Sequence, residues 1–213
     1  MTNSAQRAAY WPVPIVRAIP AAGLALLITF SADHSARFGL LAFGGFGVLS
    51  GLAIAGMAWL RLRGSRVRSF MIAQGLITLV AGVLALCLNG GGVRVLFLLV
   101  TAFAAITGFL ELYSGLRARH RFVASVDWLT VGGLTVVAAV VFLLIPPGYS
   151  QSYTGPDHVT RVLDAAVTVV GLLGVYGAIS AVYLVIAGLS AKWGTQSARV
   201  VAPATSAESE TRS

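Results

Sequence analysis

A five-residue pattern, Asp-His-x-x-Arg, occurs twice in this sequence, as DHSAR at 33–37 and DHVTR at 157–161. An unperturbed histidine changes charge at about pH 6.5, so His34 and His158 are candidates for a response to acid. Two histidines with two aspartates are also potential metal ligands, although spacing alone does not bring the two loops together. We favour a structural interpretation, in which each aspartate caps a helix N-terminus and each arginine holds that helix near the headgroups (Asp33 with Arg37, Asp157 with Arg161).

Glu111 is the second candidate, because it is the only acidic residue inside a long apolar stretch. An ionised carboxylate at mid-bilayer costs about 3 kcal/mol, so Glu111 must face the interior of a helix bundle or be protonated. The functional interpretation is a proton or cation site. The structural interpretation, which we favour, is a carboxyl near the interface that is paired with an arginine such as Arg119, eight residues further on.

The composition excludes most soluble classes, since 57% of the 213 residues are hydrophobic and only 10% are charged. The net charge of +8 comes from short basic clusters beside apolar runs, without a nucleic-acid-binding motif, so we expect no nucleic-acid partner. Cys87 is the only cysteine, which excludes an intrachain disulfide. Glycine-rich phosphate loops, nucleophile elbows and HExxH are absent, so we expect no catalytic residues, metal or cofactor.

Six apolar runs are long enough to cross about 30 Å of hydrocarbon. They predict an all-α, polytopic membrane domain over 15–192, preceded by a cytoplasmic segment at 1–14 and followed by a disordered cytoplasmic tail at 193–213. Arg17 lies in the first run, where its side chain is expected to extend to the headgroups. The predicted spans are 15–30, 38–60, 70–88, 95–116, 128–145 and 165–189.

Basic residues predict the orientation of these spans. With a cytoplasmic N-terminus, twelve of the 15 basic residues lie inside, and only Arg37, Arg94 and Arg161 lie outside. The four tryptophans fall at the same boundaries, where indoles prefer to lie. We therefore expect a multi-pass protein of the bacterial cytoplasmic membrane with both termini inside. Its expected partners are lipids, and either a second copy of the chain or another membrane protein.

The spans also group as three hairpins that resemble one another, with Gly-Leu pairs at 23, 75 and 133 and basic endings at 61–63, 117–119 and 190–192. This indicates an internal repeat of about 55 to 60 residues. Small residues let helix backbones approach closely in lipid, which places the second, fourth and sixth helices at the tight contacts. The residues concerned are Gly47, Gly51, Ala104, Gly108, Gly174 and Gly177.

Three segments carry a family resemblance: ITGFLELYSGLRAR at 106–119, GGLTVVAAVVFLLIPP at 132–147 and GLLGVYGAISAVYLVIAGL at 171–189. With Trp128 between the first two, they resemble the HdeD-like acid-resistance membrane proteins. The resemblance covers about 70–192 well and the first hairpin more loosely. It implies three repeated two-helix hairpins and an association with acid or envelope stress. The alternative is a small transporter or channel that uses Glu111 as its ionisable site.

Overall fold

The computed structural model describes residues 10–61, 68–119, 125–154, 156, 158 and 160–210, with the backbone alone for Arg161 and residues 195–210. Within these residues, six helices are long and apolar enough to cross a membrane. The predicted all-α, six-span class is confirmed, and the chain is a multi-pass membrane protein. Most of the predicted N-terminal segment lies outside the described residues, as do these residues from the orientation and capping arguments: Arg7, Arg63, Arg66, Arg121, Asp157 and Arg212.

The first five helices begin and end within three residues of the predicted spans. The last is longer, because its backbone continues as helix to Glu210 where the sequence predicts a disordered tail; alanine and glutamate in that tail are good helix formers. The helices are α1 (Pro12–Thr29), α2 (Ala36–Arg61), α3 (Arg68–Cys87), α4 (Gly92–Ala118), α5 (Ser125–Leu144) and α6 (Ala165–Glu210).

The closest helix contacts lie between the three predicted hairpins and not within them. We call the end of the bundle with Arg61, Arg68 and Arg117 the basic end, and the opposite end, with connection 30–35, the loop end. The closest pairs are α2 with α3, α4 with α5, and α6 with α1. Each of these pairs joins one hairpin of the sequence repeat (α1 with α2, α3 with α4, α5 with α6) to another hairpin. The even-numbered helices also contact one another in the centre.

Glycines explain this pairing, because several of those on α2 and α4 lie against the backbone of the helix that follows. A β-carbon added to Gly47 would lie 2.7 Å from Gly82 Cα, and one added to Gly51 would lie 2.5 Å from the Leu79 amide nitrogen. On α4, a β-carbon at Gly108 would lie 2.9 Å from the Val136 nitrogen. Backbones this close gain dispersion energy that lipid cannot supply.

The third close pair and the core involve the remaining small residues of the predicted packing set. A β-carbon at Gly174 of α6 would meet Ile28 of α1 at 2.9 Å, and one at Gly177 would meet the Ala21 carbonyl oxygen at 2.9 Å. Ala104 is buried in the main apolar cluster of the bundle. The even-numbered helices thus contribute small residues to all three close pairs.

A β-hairpin that the sequence did not predict occupies the long connection at the loop end. Strand β1 (Ser150–Thr154) pairs antiparallel with β2 (Thr160–Asp164), with Ser150 opposite Asp164. Proline and glycine at 146–148 end α5, and the exposed strands then satisfy each other's backbone groups. At the basic end, Trp128 is buried, whereas Arg68 lies over the Trp59 ring at 4.2 Å.

Candidate functional site

The most unusual feature of the interior is a buried cluster of charged and polar side chains around Glu111. Arg17 Nη2 donates to Glu111 Oε1 at 2.6 Å, and Gln74 Nε2 donates to Glu111 Oε2 at 2.9 Å. Glu111 and Gln74 are each 2% exposed and Arg17 is 8% exposed. Both oxygens of the carboxylate therefore have a donor, and the arginine balances its charge in a medium of low dielectric constant.

This cluster corrects the predicted positions of its members. Arg17 does not extend to the headgroups; it points into the bundle because Glu111 offers a charged partner there. Glu111 does pair with an arginine, but neither Arg117 nor Arg119 is the partner. The Arg117 guanidinium instead donates to Tyr113 Oη at 2.8 Å. The interaction ties α1 to α4 across 94 positions of sequence.

The odd-numbered helices place their cluster residues at a constant interval. Arg17, Gln74 and Val131 all line one central cavity and lie 57 residues apart in sequence. One helical turn further along, Ala21, Thr78 and Thr135 line the same cavity at the same interval. The repeat that the sequence predicts therefore brings equivalent positions to one place. The three equivalent positions carry different chemistry. In the first set, Arg17 is a cation, Gln74 is an amide and Val131 is apolar.

The even-numbered helices follow the same rule. Ser50 and Thr107 are one pair of equivalent positions, Ile54 and Glu111 are the next, and the interval is again 57 residues. The β-hairpin shifts the third copy, in which Tyr176 and Ser180 have the same spacing of four.

The central cavity has a volume of about 40 Å³. A buried water needs about 10–15 Å³, so the space suits a few waters and no larger ligand.

Apolar layers close the central cavity on both sides. Toward the loop end lie four packed rings, with Phe43 and Phe103 at 5.2 Å and Phe46 and Tyr176 at 6.5 Å between centroids. Toward the basic end lies a second cluster that includes Met71 and Trp128. The ion pair thus sits in a small polar space between two apolar layers, which strengthens its electrostatics.

The first Asp-His-x-x-Arg loop lies at the loop end and is exposed or half-buried. Asp33 accepts a hydrogen bond from the Ser35 amide at 2.8 Å, and this bond lowers the pKa of Asp33 below its usual range. The N-cap of α2 is Ser35, whose Oγ accepts from the Phe38 amide at 3.2 Å. The predicted cap is therefore two residues early, because α2 begins at Ala36. Arg37 is exposed in its first turn.

The second loop forms the tip of the β-hairpin. His158 has a left-handed backbone with φ of 58°, and the Arg161 backbone lies opposite Tyr153 in the strand ladder. The predicted cap Asp157 is outside the described residues, and α6 begins only at Ala165. Its cap is Asp164, which accepts from the Val167 amide at 2.9 Å.

No hydrogen bond, ion pair or ring contact joins the two loops in the described part of the chain. Among the same residues, no group of three or more His, Cys, Asp or Glu lies close enough to hold a metal ion. The two Asp-His-x-x-Arg patterns thus stand in different structural settings, a helix start and a hairpin tip.

Sequence reasoning missed Arg17, Gln74 and Ser50 as members of the central cluster. The constant 57-residue interval was the available signal, because it aligns Gln74 with Arg17 and Glu111 with Ile54. Comparisons with protein-family models, curated proteins and solved structures gave no significant match. The interpretation of the cluster therefore depends on its own geometry.

Proposed function

We propose that this multi-pass membrane protein is a non-enzymatic, HdeD-like protein of the bacterial cytoplasmic membrane that contributes to tolerance of acid or envelope stress. The observation that supports the proposal most is the buried Arg17–Glu111 pair with its Gln74 contact. One carboxylate holds α1, α3 and α4 together, so its charge state acts on half of the helices. The resemblance of segments 106–119, 132–147 and 171–189 to HdeD-like proteins supplies the physiological context.

Acid acts on this arrangement through Glu111. A proton on the carboxylate removes the negative charge that balances Arg17, and an unpaired guanidinium in an apolar interior costs several kcal/mol. The helices then relieve that cost by moving Arg17 toward water. The bundle has two arrangements, and protons select between them. In this proposal lipids, a second copy or another membrane protein sense the change, and nucleic acid has no part in it.

Survival of a deletion strain at low pH tests the proposal. Complementation with the wild-type chain should restore survival, whereas Glu111→Gln, which is locked in an uncharged form, should not respond to acid and should fail to restore it. Arg94→Gln is the matched control, since Arg94 is exposed at the loop end. Equal survival of the deletion, wild-type and Glu111→Gln strains, at equal protein levels in the membrane, would reject this function.

A small transporter or channel is the second candidate, and the polar lining of the central cavity favours it. Ser50, Thr107 and Thr135 line the same cavity as the ion pair, and polar groups inside a membrane domain are typical of proton and solute pathways. Purified protein in proteoliposomes should then move protons or a small solute, and Glu111→Gln should abolish that flux. An unchanged flux in Glu111→Gln vesicles would remove the transport function.

A further inference from the structure

A second polar space lies at the basic end, close to the central cavity. This basic-end groove has a volume of about 340 Å³. The Asp127 carboxylate lies within it and accepts a hydrogen bond from Tyr183 Oη at 3.1 Å. The other groove residues come from the start of α1 and from the last turns of α6 before Lys192: Tyr10, Ile186, Ala187, Ser190 and Ala191. The groove is thus large enough for many waters and has a carboxylate within it.

Only a thin apolar barrier separates the two spaces. Ala18, Val131 and Leu184 form a small buried cluster, and the last two line the central cavity. Asp127 lies one helical turn from Val131, and Tyr183 is the neighbour of Leu184, so the groove begins where this cluster ends. The barrier bridges α5 and α6, which pack less closely than any other consecutive pair of described helices.

The loop side of the central cavity is much better sealed. Beyond the four aromatic rings lie Val100, Leu173 and Phe142, which pack without room for a single water. Val100 and Leu173 are each 1% exposed. A molecule that reaches the cavity from the loop end must therefore displace two apolar layers, whereas one that enters from the basic-end groove passes only the cluster of Ala18, Val131 and Leu184.

The central cavity also has buried hydrogen-bonding groups whose missing partners can be supplied by water. Ser50 Oγ and Gln74 Oε1 are buried and have no hydrogen-bond partner among the described residues. Leaving such groups dry is unfavourable, and a water can bond to both kinds of oxygen. A cation in this space would meet the Arg17 charge and an anion would meet the Glu111 charge, so the occupant that fits is neutral and water-sized.

Glu111 faces groups from every helix around it. The titratable or charged ones come from α1, α5 and α6, whereas α2 and α3 present uncharged side chains. The groups are Arg17, with Tyr10 just before α1; Asp127 on α5; Tyr176 on α6; Gln74 on α3; and Ser50 and Ile54 on α2. Asp127, the one charged group in this set besides the pair itself, lies in the basic-end groove.

We infer that the central cavity is a hydrated site that exchanges water and protons with the basic-end groove alone, with Val131 and Leu184 as the barrier. A hydronium in the groove passes its proton along hydrogen-bonded waters to a Glu111 carboxylate oxygen, and a neutral water remains in the groove. This inference deepens the proposed function, because it identifies the solution whose acidity the ion pair senses. If the basic end is cytoplasmic, the protein responds to acidification of the cytoplasm and not to the outside pH.

Thiol accessibility in oriented vesicles tests the route. Ser50→Cys in a Cys87→Ala background places the only thiol in the central cavity, and a charged, membrane-impermeant methanethiosulfonate is added to one side at a time. Without barrier changes we expect no reaction from either side. With Val131→Ala and Leu184→Ala, which join cavity and groove, reaction from the basic end should accelerate at least about tenfold, a change of about 1.4 kcal/mol in the barrier.

The matched control makes the same two truncations on the loop side, at Val100→Ala and Leu173→Ala, and should leave the thiol unreactive. Reaction from the loop end, or no reaction of the opened barrier variant from either side, overturns the inference. If the double truncation does not fold, silver ion replaces the larger reagent on the Ser50→Cys chain with its barrier intact. Faster thiol loss from the basic end supports the route, and equal or faster loss from the loop end rejects it.

These outcomes are separable from the test of function. If the deletion strain survives acid as well as wild type while the thiol test shows access from the basic end, the stress function alone is rejected. Conversely, a Glu111-dependent survival with access from the loop end would keep the function and reject the route. Ser190→Cys, exposed at the groove, verifies in each preparation that the reagent reaches the basic end.

Discussion

A double-mutant cycle on Arg17 and Glu111 measures how much the ion pair stabilises the bundle. Arg17→Met leaves Glu111 with only the Gln74 hydrogen bond, and Glu111→Leu leaves the buried guanidinium without its carboxylate. Removing one partner of a buried pair costs about 3–5 kcal/mol. We expect Arg17→Met at the lower end of that range, because Gln74 still satisfies one carboxylate oxygen, and Glu111→Leu at the upper end.

The double variant should be much more stable than the sum of the singles predicts. With both charges gone, only packing and the Gln74 amide remain to be accommodated, so we expect a loss of about 1–2 kcal/mol and a coupling energy above about 2 kcal/mol. The free energy of unfolding is measured by circular dichroism during titration with denaturing detergent in mixed micelles. Exposed Arg94→Met should leave it unchanged. Single variants that lose less than about 1 kcal/mol, or additive losses, would refute the buried pair.

Three further outcomes follow from the packing and the loops. Gly82→Ala should destabilise the bundle by about 1–3 kcal/mol because the added methyl meets the backbone of α2, whereas Gly45→Ala, with open space around it, should be neutral or slightly stabilising in the same titration. Asp33→Asn should lower the melting temperature equally at pH 7 and pH 5. Because the pKa of Asp33 is lowered from 3.8, its contribution to stability is present above that value and is lost only below it. If the difference in melting temperature between wild type and Asp33→Asn already shrinks between pH 7 and pH 5, the Asp33–Ser35 hydrogen bond is not the cause. Replacing His34 and His158 together by Gln should leave acid survival intact if Glu111 is the proton acceptor; lost survival would assign the response to the histidines.

The sequence predicted the architecture because hydrocarbon thickness imposes one length on every span. Each apolar run was close to that length, and all but two of them contained no charged residue, so the helices could be identified from the sequence. The rotation of a helix about its axis is not visible in this way. Arg17 was expected at the headgroups because a flanking arginine can reach them, and only the position of α4 reveals that a carboxylate lies closer.

Two details could not be predicted for related reasons: which helices pair most closely, and which residues cap them. The sequence placed the even-numbered helices at the tight contacts, but the partner of each depends on which face of the helix carries glycine. At the helix starts, Asp33 and Ser35 are both good caps, and choosing between them needs the residue at which α2 begins. The β-hairpin has only two exposed five-residue strands, too short and polar to stand out from the surrounding loop.

The most direct test of the central claim is a dipolar-coupling measurement by solid-state NMR on the protein in lipid bilayers, between labelled Arg17 guanidinium nitrogens and the labelled Glu111 side-chain carboxyl carbon. The nitrogen–oxygen distance of 2.6 Å predicts a strong coupling that disappears in Glu111→Leu. An absent coupling, with Arg17 instead in contact with lipid phosphate, would contradict the account.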